Sequence, residues 1–175
     1  PGSGSTAGVA VGDLMKRMVR GGYPEAAGRA QDRRRSAWFD SYITTILERD
    51  IRDLSRIQDI TSLPRLLRLL AARTATLPVV SDVSRGTGIP GTSLHRHMAL
   101  LETIFILQMT PAWTVNLGQR LIKSPKMTFV DAGLACHLMG LDAERLLHDP
   151  DLAGRVLENF VIAELYKQLS WCGLR

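Results

Sequence analysis

Three cations, Arg120, Lys123 and Lys126, cluster between two short apolar runs, and a fourth, Arg96, falls on the outward side of a helical pattern. Lysine and arginine on a loop supply sequence-independent attraction to a nucleic-acid backbone, and an arginine projecting from a helix is the side chain that can reach a base edge. The chemistry these residues offer is binding, not bond making. Pro90-Gly91-Thr92-Ser93, the opening of the helix that carries Arg96, lacks the forked amide and guanidinium groups that read bases bidentately. Phosphate contact is therefore expected ahead of sequence reading, and a protein partner would suit the same surface.

Other chemistry is poorly provided for. The chain has neither a G-x-x-x-x-G-K-[ST] phosphate loop nor a G-x-G-x-x-G turn. His95 and His97 are two apart on a helix and diverge by roughly 200°, so they cannot share a metal, and His137 and His148 lie in other segments. Glu48-Arg49-Asp50 and Arg52-Asp53 read as a solvated or domain-contacting helix face. No catalytic residue, metal site or cofactor is assigned to this chain.

The elements that must hold the cations are mainly helical. Val11 to Arg20 predicts a short helix stopped by Gly21-Gly22. Asp32 to Arg56 predicts a long one, with Trp38, Tyr42 and Ile46 in one row and Phe39, Ile43, Leu47, Ile51 and Leu54 in the next. Ile60 to Arg73 places Leu63, Leu66, Leu67 and Leu70 inside, with Arg65, Arg68 and Arg73 along its margin. Between Leu77 and Glu102 two helices meet at a turn set by Gly86, Gly88 and Pro90, with Ser81 as the expected N-cap of the first. In the second, Leu94, Met98 and Leu101 face the core while Thr92, Arg96 and Ala99 face out. Strands are expected over Ile104 to Met109 and Lys126 to Val130, a pair that turns the helix-turn-helix into a winged helix. Short and long helices follow over Leu134 to Met139 and Leu152 to Trp171. In the long one, Val156, Leu157, Phe160, Val161, Ala163, Leu165 and Leu169 supply the apolar positions.

The expected fold class is thus a helical bundle plus a winged helix-turn-helix with a small β wing. Residues 1–10 read as a flexible leader or cloning remnant, 11–76 as a helical linker, 77–130 as the winged helix and 131–175 as the start of a further domain. Residues 61–130 carry eight basic against two acidic side chains, so the net charge of +5 belongs to the segment with the helix-turn-helix. No apolar run approaches the ~20 residues of a membrane span. Cys136 and Cys172 lie far apart, without disulfide-framework or metal spacing. A soluble cytoplasmic protein is expected. The start at Pro1 without methionine, and the end just after a helix-like stretch, read as a piece of a longer protein.

Six strings together resemble a known family. They are Gly21-Gly22-Tyr23-Pro24-Glu25, Ser41-Tyr42 through Glu48-Arg49-Asp50-Ile51, and Leu100-Leu101-Glu102. The others are Asn116 with Lys123-Ser124-Pro125-Lys126, Phe129-Val130-Asp131-Ala132-Gly133-Leu134, and Glu158-Asn159-Phe160-Val161 with Glu164-Leu165. In order and spacing they are similar to predicted bacterial and archaeal P-loop ATPases of the AAA type, whose C-terminal half is catalogued as a domain of unknown function (DUF4143).

That resemblance implies a parent with an N-terminal ATPase that uses ATP and Mg, a middle winged helix, and a C-terminal domain similar to restriction endonucleases. Of that last domain this chain would hold only the first helix. Glu158 would match a glutamate that assists metal binding there, with the rest of such a site beyond Arg175. Pro90-Gly91 departs from the polar cap and arginine with which relatives tend to open the second helix. The function expected is a non-catalytic regulatory and binding segment, its winged helix contacting duplex DNA phosphates or a protein partner and its long helix coupled to the ATPase domain of its own polypeptide. Two alternatives stand beside it: a fragment of a metal-dependent endonuclease completed downstream, and a protein-protein module that restrains the ATPase.

Overall fold

In a computed structural model of the 175-residue chain, residues 10–50, 60–113, 115 and 123–173 are described. The order of elements is α1 (Val11–Arg20), α2 (Pro24–Ala27), α3 (Asp32–Thr45), α4 (Leu63–Ala71), α5 (Val80–Thr87), α6 (Gly91–Thr103), β1 (Leu107–Thr110), β2 (Lys126–Phe129), α7 (Ala132–Met139), α8 (Ala143–His148) and α9 (Pro150–Trp171). The fold is mainly α with one two-stranded sheet among the described residues. No described helix is long and apolar enough to cross a membrane.

Local chemistry accounts for most boundaries. Gly21, at φ +72°, ends α1 where its sequence pattern ends. The expected spine over 32–56 is α-helical only to Thr45 and widens into a π-turn at Ile46–Asp50; residues 51–56 lie outside the described part. All four leucines expected inside α4 are buried.

The helix-turn-helix is built as the sequence implies, with one correction. Helix α5 starts at Val80 behind Val79, which makes no side-chain cap, so Ser81 lies inside the helix and is not its N-cap. The turn is held by side chains instead: Ser84 Oγ donates to the Ile89 carbonyl at 2.6 Å, Thr87 Oγ1 accepts from Ile89 N at 3.2 Å, and Gly88 takes the left-handed conformation at φ +79°. Ile89 is thereby pulled into the core. Leu94, Met98 and Leu101 of α6 are buried, and Thr92, Arg96 and Ala99 are exposed. His97, expected at the boundary, is buried.

The first strand begins later than its β-branched sequence suggests. Helix α6 runs on to Thr103, and the chain then turns through Phe105 at φ +57°, with Ile106 N donating back to the Leu101 carbonyl at 2.9 Å. That is a left-handed helix cap filled by phenylalanine where glycine is usual. From Leu107 the hairpin pairs antiparallel, Leu107 with Phe129 through Thr110 with Lys126. On the other edge of β2, Thr76 bridges Met127. Helix α4, the bridging residue, α5, α6 and the hairpin thus follow one another in winged-helix order.

The apolar interior forms two clusters. One joins α2 to α6, the hairpin and one side of α7, with Phe39, Leu66, Leu94 and Phe129 at its centre. The other joins α1, α8 and α9 to the opposite side of α7, around Met18, Cys136 and Val156. Helix α7 is shared: Leu134 and Ala135 enter the first cluster, Ala132 and Cys136 the second. Helix α1 therefore packs with the C-terminal helices, so the cores do not follow boundaries at residues 76 and 130.

Candidate functional site

The four cations read from the sequence fare differently. Arg96 stands exposed on the outer face of α6, and Lys123 is exposed in the hairpin loop. Arg120 lies outside the described residues. Lys126, in contrast, is engaged: its Nζ forms an ion pair with Glu158 Oε1 of α9, both side chains roughly half-buried. The cation expected to meet phosphate and the carboxylate expected to meet metal hold each other, which corrects both readings. The physical reason is that the seat of α9 against β2 brings together two side chains 32 residues apart. Among the described residues, no group of three or more His, Cys, Asp or Glu could hold a metal ion.

One residue along from Glu158, Asn159 is completely buried. Its Oδ1 accepts from Phe129 N at 2.7 Å and from the Thr74 hydroxyl, and its Nδ2 donates to the Phe129 carbonyl at 3.0 Å. In an antiparallel strand the N–H and C=O of one residue point to the same side, so a single side-chain amide completes the edge of β2 two residues beyond the Thr76 bridge. The tip of α4, the hairpin and α9 meet on that one amide.

A second knot ties the N-terminal helices to α7. Asp131 caps α7, its Oδ1 accepting from Leu134 N at 2.8 Å, while Oδ2 accepts from Gly22 N at 2.6 Å. Side chains are excluded around it. A Cβ on Gly21 would lie 2.4 Å from Asp131 Oδ1, and one on Gly133 would lie 2.6 Å from Gly21 Cα. Lys167, paired with Glu164, closes the other side of Gly22. Burial raises the Asp131 pKa above its ordinary 3.8, against the lowering effect of the Gly22 and Leu134 amides and of Lys167. A raised folded-state value means that the native protein holds this proton more tightly than the unfolded chain does. The contribution is fully present below pH 3.8 and is lost as pH rises through the raised value. We expect the stability advantage of wild type over Asp131→Asn to be largest in acid and to shrink across that window in urea titrations. An advantage that grows with pH would show that the amide bonds outweigh burial.

His137 bridges α7 to α3. Its Nε2 lies 2.9 Å from Asp40 Oδ1 and its Nδ1 3.3 Å from Ser36 Oγ, and its ring stacks on Phe39 at 5.3 Å. Serine, histidine and aspartate are the residue types of a nucleophilic triad. Here Ser36 and Asp40 sit one turn apart on one helix and the Asp40 side chain is 71% exposed, so water screens the pair. The arrangement acts as a clasp beside a cleft of about 240 Å³ that Asp32, Arg35 and Ser36 also line. Sequence reasoning missed it, because the only local signal is the four-residue spacing of Ser36 and Asp40, and the histidine comes from 97 residues further on. Next to it Tyr23, Trp38 and Tyr42 form a ring cluster, with Trp38 stacked on Tyr42 at 5.0 Å and the Tyr23 and Tyr42 hydroxyls 3.0 Å apart. Burial pushes the Tyr23 phenol well above its ordinary value.

Fold and site thus define a helical protein built around a helix-turn-helix and hairpin that are locked to flanking helices by buried polar contacts. The chain belongs to the family described as Domain of unknown function (DUF8612), whose sequence model matches residues 11–145. It is similar to the uncharacterized protein Rv2008c of Mycobacterium tuberculosis, at 32% identity over 153 residues, which cover 87% of this chain and 34% of that protein. The uncharacterized protein Mb2031c of Mycobacterium bovis matches to the same extent. The chain therefore spans about a third of the length of the curated relatives it matches. No solved structure matches it significantly.

Proposed function

We propose that this chain is a non-catalytic binding and regulatory segment of a larger AAA-type ATPase, and that its winged helix contacts nucleic-acid phosphates. One observation carries the binding half: the helix-turn-helix leaves Thr92, Arg96 and Ala99 exposed on its second helix, and the hairpin loop behind it presents Lys123. The ATPase half draws on the resemblance. Strings that are far apart in the chain, Gly21-Gly22, Asp131-Ala132-Gly133 and Glu158-Asn159, meet at the two knots that join the winged helix to its neighbours. A segment that transmits movement between domains needs such rigid joints.

Anisotropy of a labelled DNA duplex over a salt series tests the binding half. Each phosphate contact contributes about 0.9 to the slope of log affinity against log salt, so replacing Arg96, Arg120 and Lys123 by alanine should flatten the slope by about 0.9 apiece. Lys126→Ala should change it less than Lys123→Ala, because Glu158 already neutralises that ammonium. Absence of binding at about 50 mM salt, or an unchanged slope in the triple variant, would overturn the reading.

The exposed row Val161, Leu165 and Leu169 on α9 favours a second reading, in which the segment restrains the ATPase domain of its own polypeptide by protein contact. Nucleotide-dependent crosslinks from α9 to that domain would support it, and crosslinks indifferent to nucleotide would count against it.

A further inference from the structure

The hairpin loop carries an apolar feature that phosphate binding leaves unused. Trp113 is 83% exposed and Val115 87% exposed, just beyond the last hairpin pair, Thr110 with Lys126. An indole held in water is costly unless something flat covers it. Trp38, by contrast, is half-buried against Tyr23 and Tyr42. The charge around the loop narrows the choice of cover. Residues 61–130 hold eight basic and two acidic side chains, and Lys123 is exposed in the same loop, so the surroundings attract a polyanion. With Lys126 bound to Glu158, that attraction is weaker than the sequence promises, and tight contact needs a non-electrostatic partner for the indole. The opening of α6, Pro90-Gly91-Thr92-Ser93, offers no bidentate reader of paired bases.

On these grounds we infer that the hairpin loop is a stacking platform for unpaired nucleobases, with Trp113 as the platform and Lys123 as the contact to the adjoining backbone. The inference rests on the phosphate-binding reading and narrows its ligand to nucleic acid with single-stranded character. In a duplex the base faces are covered by their neighbours, and an indole approaching from outside meets sugar and phosphate. In a single strand every base offers a π-face, and stacking on one aromatic side chain is worth about five- to a hundredfold in affinity.

The test compares labelled oligothymidine of about twenty nucleotides, ample for several binding sites, with a duplex of equal length, using the full chain and anisotropy at low salt. The single strand should bind more tightly and quench tryptophan emission. Trp113→Ala should weaken single-strand binding about tenfold and leave duplex binding unchanged, and Trp113→Phe should keep most of the affinity. Because Trp113 is exposed, both variants should retain the wild-type circular dichroism and thermal midpoint. Duplex binding as tight as single-strand binding, or a Trp113→Ala variant indistinguishable from wild type, overturns the stacking platform while leaving phosphate contact standing. Failure of both nucleic acids to bind overturns both.

Discussion

Asn159→Leu should lower the free energy of unfolding by about 3–5 kcal/mol, a large part of the 5–15 kcal/mol that a domain has. The substitution removes no apolar packing, so the loss comes from polar groups left without partners. Asn159 is 0% exposed, and its amide serves Phe129 N, the Phe129 carbonyl and the Thr74 hydroxyl. With leucine in place all three stay buried, each costing about 1–3 kcal/mol. In a protein of this size the midpoint of thermal unfolding should fall by about 10 °C or more. Two companion variants separate the contributions. Thr74→Val deletes only the hydroxyl and should cost about 1 kcal/mol, since Asn159 still bonds both backbone groups of Phe129. Asn159→Asp keeps the acceptor but sets a carboxylate oxygen against the Phe129 carbonyl, and it should recover stability in acid, where the protonated group can donate. If Asn159→Leu costs no more than Thr74→Val, the amide does not close the edge of β2.

How far such a knot can be read from sequence depends on the range of the forces that make it. Helix α1 was legible to the residue, because the period of its apolar positions and the double glycine after it are both local. The leucines of α4 and the outward position of Arg96 on α6 were legible for the same reason. Helices α2 and α8, at four and six residues, are too short for any period to show. Local propensity misled at Ile104 and Phe105, where a helix cap claimed residues whose side chains favour strands. In α9 the pattern marked seven apolar positions but not which side would find a partner. Val156 and Ala163 are buried, whereas Val161, Leu165 and Leu169 remain 44, 51 and 43% exposed. The candidate site divided along the same line. Exposure of Arg96 follows from helical geometry, but the pairing of Lys126 with Glu158 and the bond from Gly22 to Asp131, across 109 residues, are tertiary facts with no local signature.

The glycine beneath that last bond yields the second large effect, and its sign is opposite to what helix propensity predicts. Within a helix, alanine is favoured over glycine by up to about 1 kcal/mol, so Gly133→Ala in α7 should stabilise the protein if nothing stood in the way. Its new methyl group would, however, lie 2.6 Å from Gly21 Cα, 2.7 Å from Gly21 N and 2.9 Å from the carbonyl carbon of Arg20. These are backbone atoms at the end of α1, not flexible tips that can swing aside. Relief requires α1 to lift from α7, which stretches the Gly22 to Asp131 bond and opens the cluster around Met18 and Cys136. A net loss of about 2–3 kcal/mol is expected, with faster amide exchange along α1. Gly154→Ala in α9 is the matched control: a Cβ there meets nothing within 4 Å, so the propensity gain stands and stability should rise by about 0.5–1 kcal/mol. Urea unfolding of the two single variants decides the point. Opposite signs place α1 in van der Waals contact with α7 through Gly21 and Gly133, whereas a stabilised Gly133→Ala would mean that the helices do not approach so closely. The same contact determines whether α1 can move independently of α7, as it would have to if it relayed a change in a neighbouring domain without disturbing the winged helix.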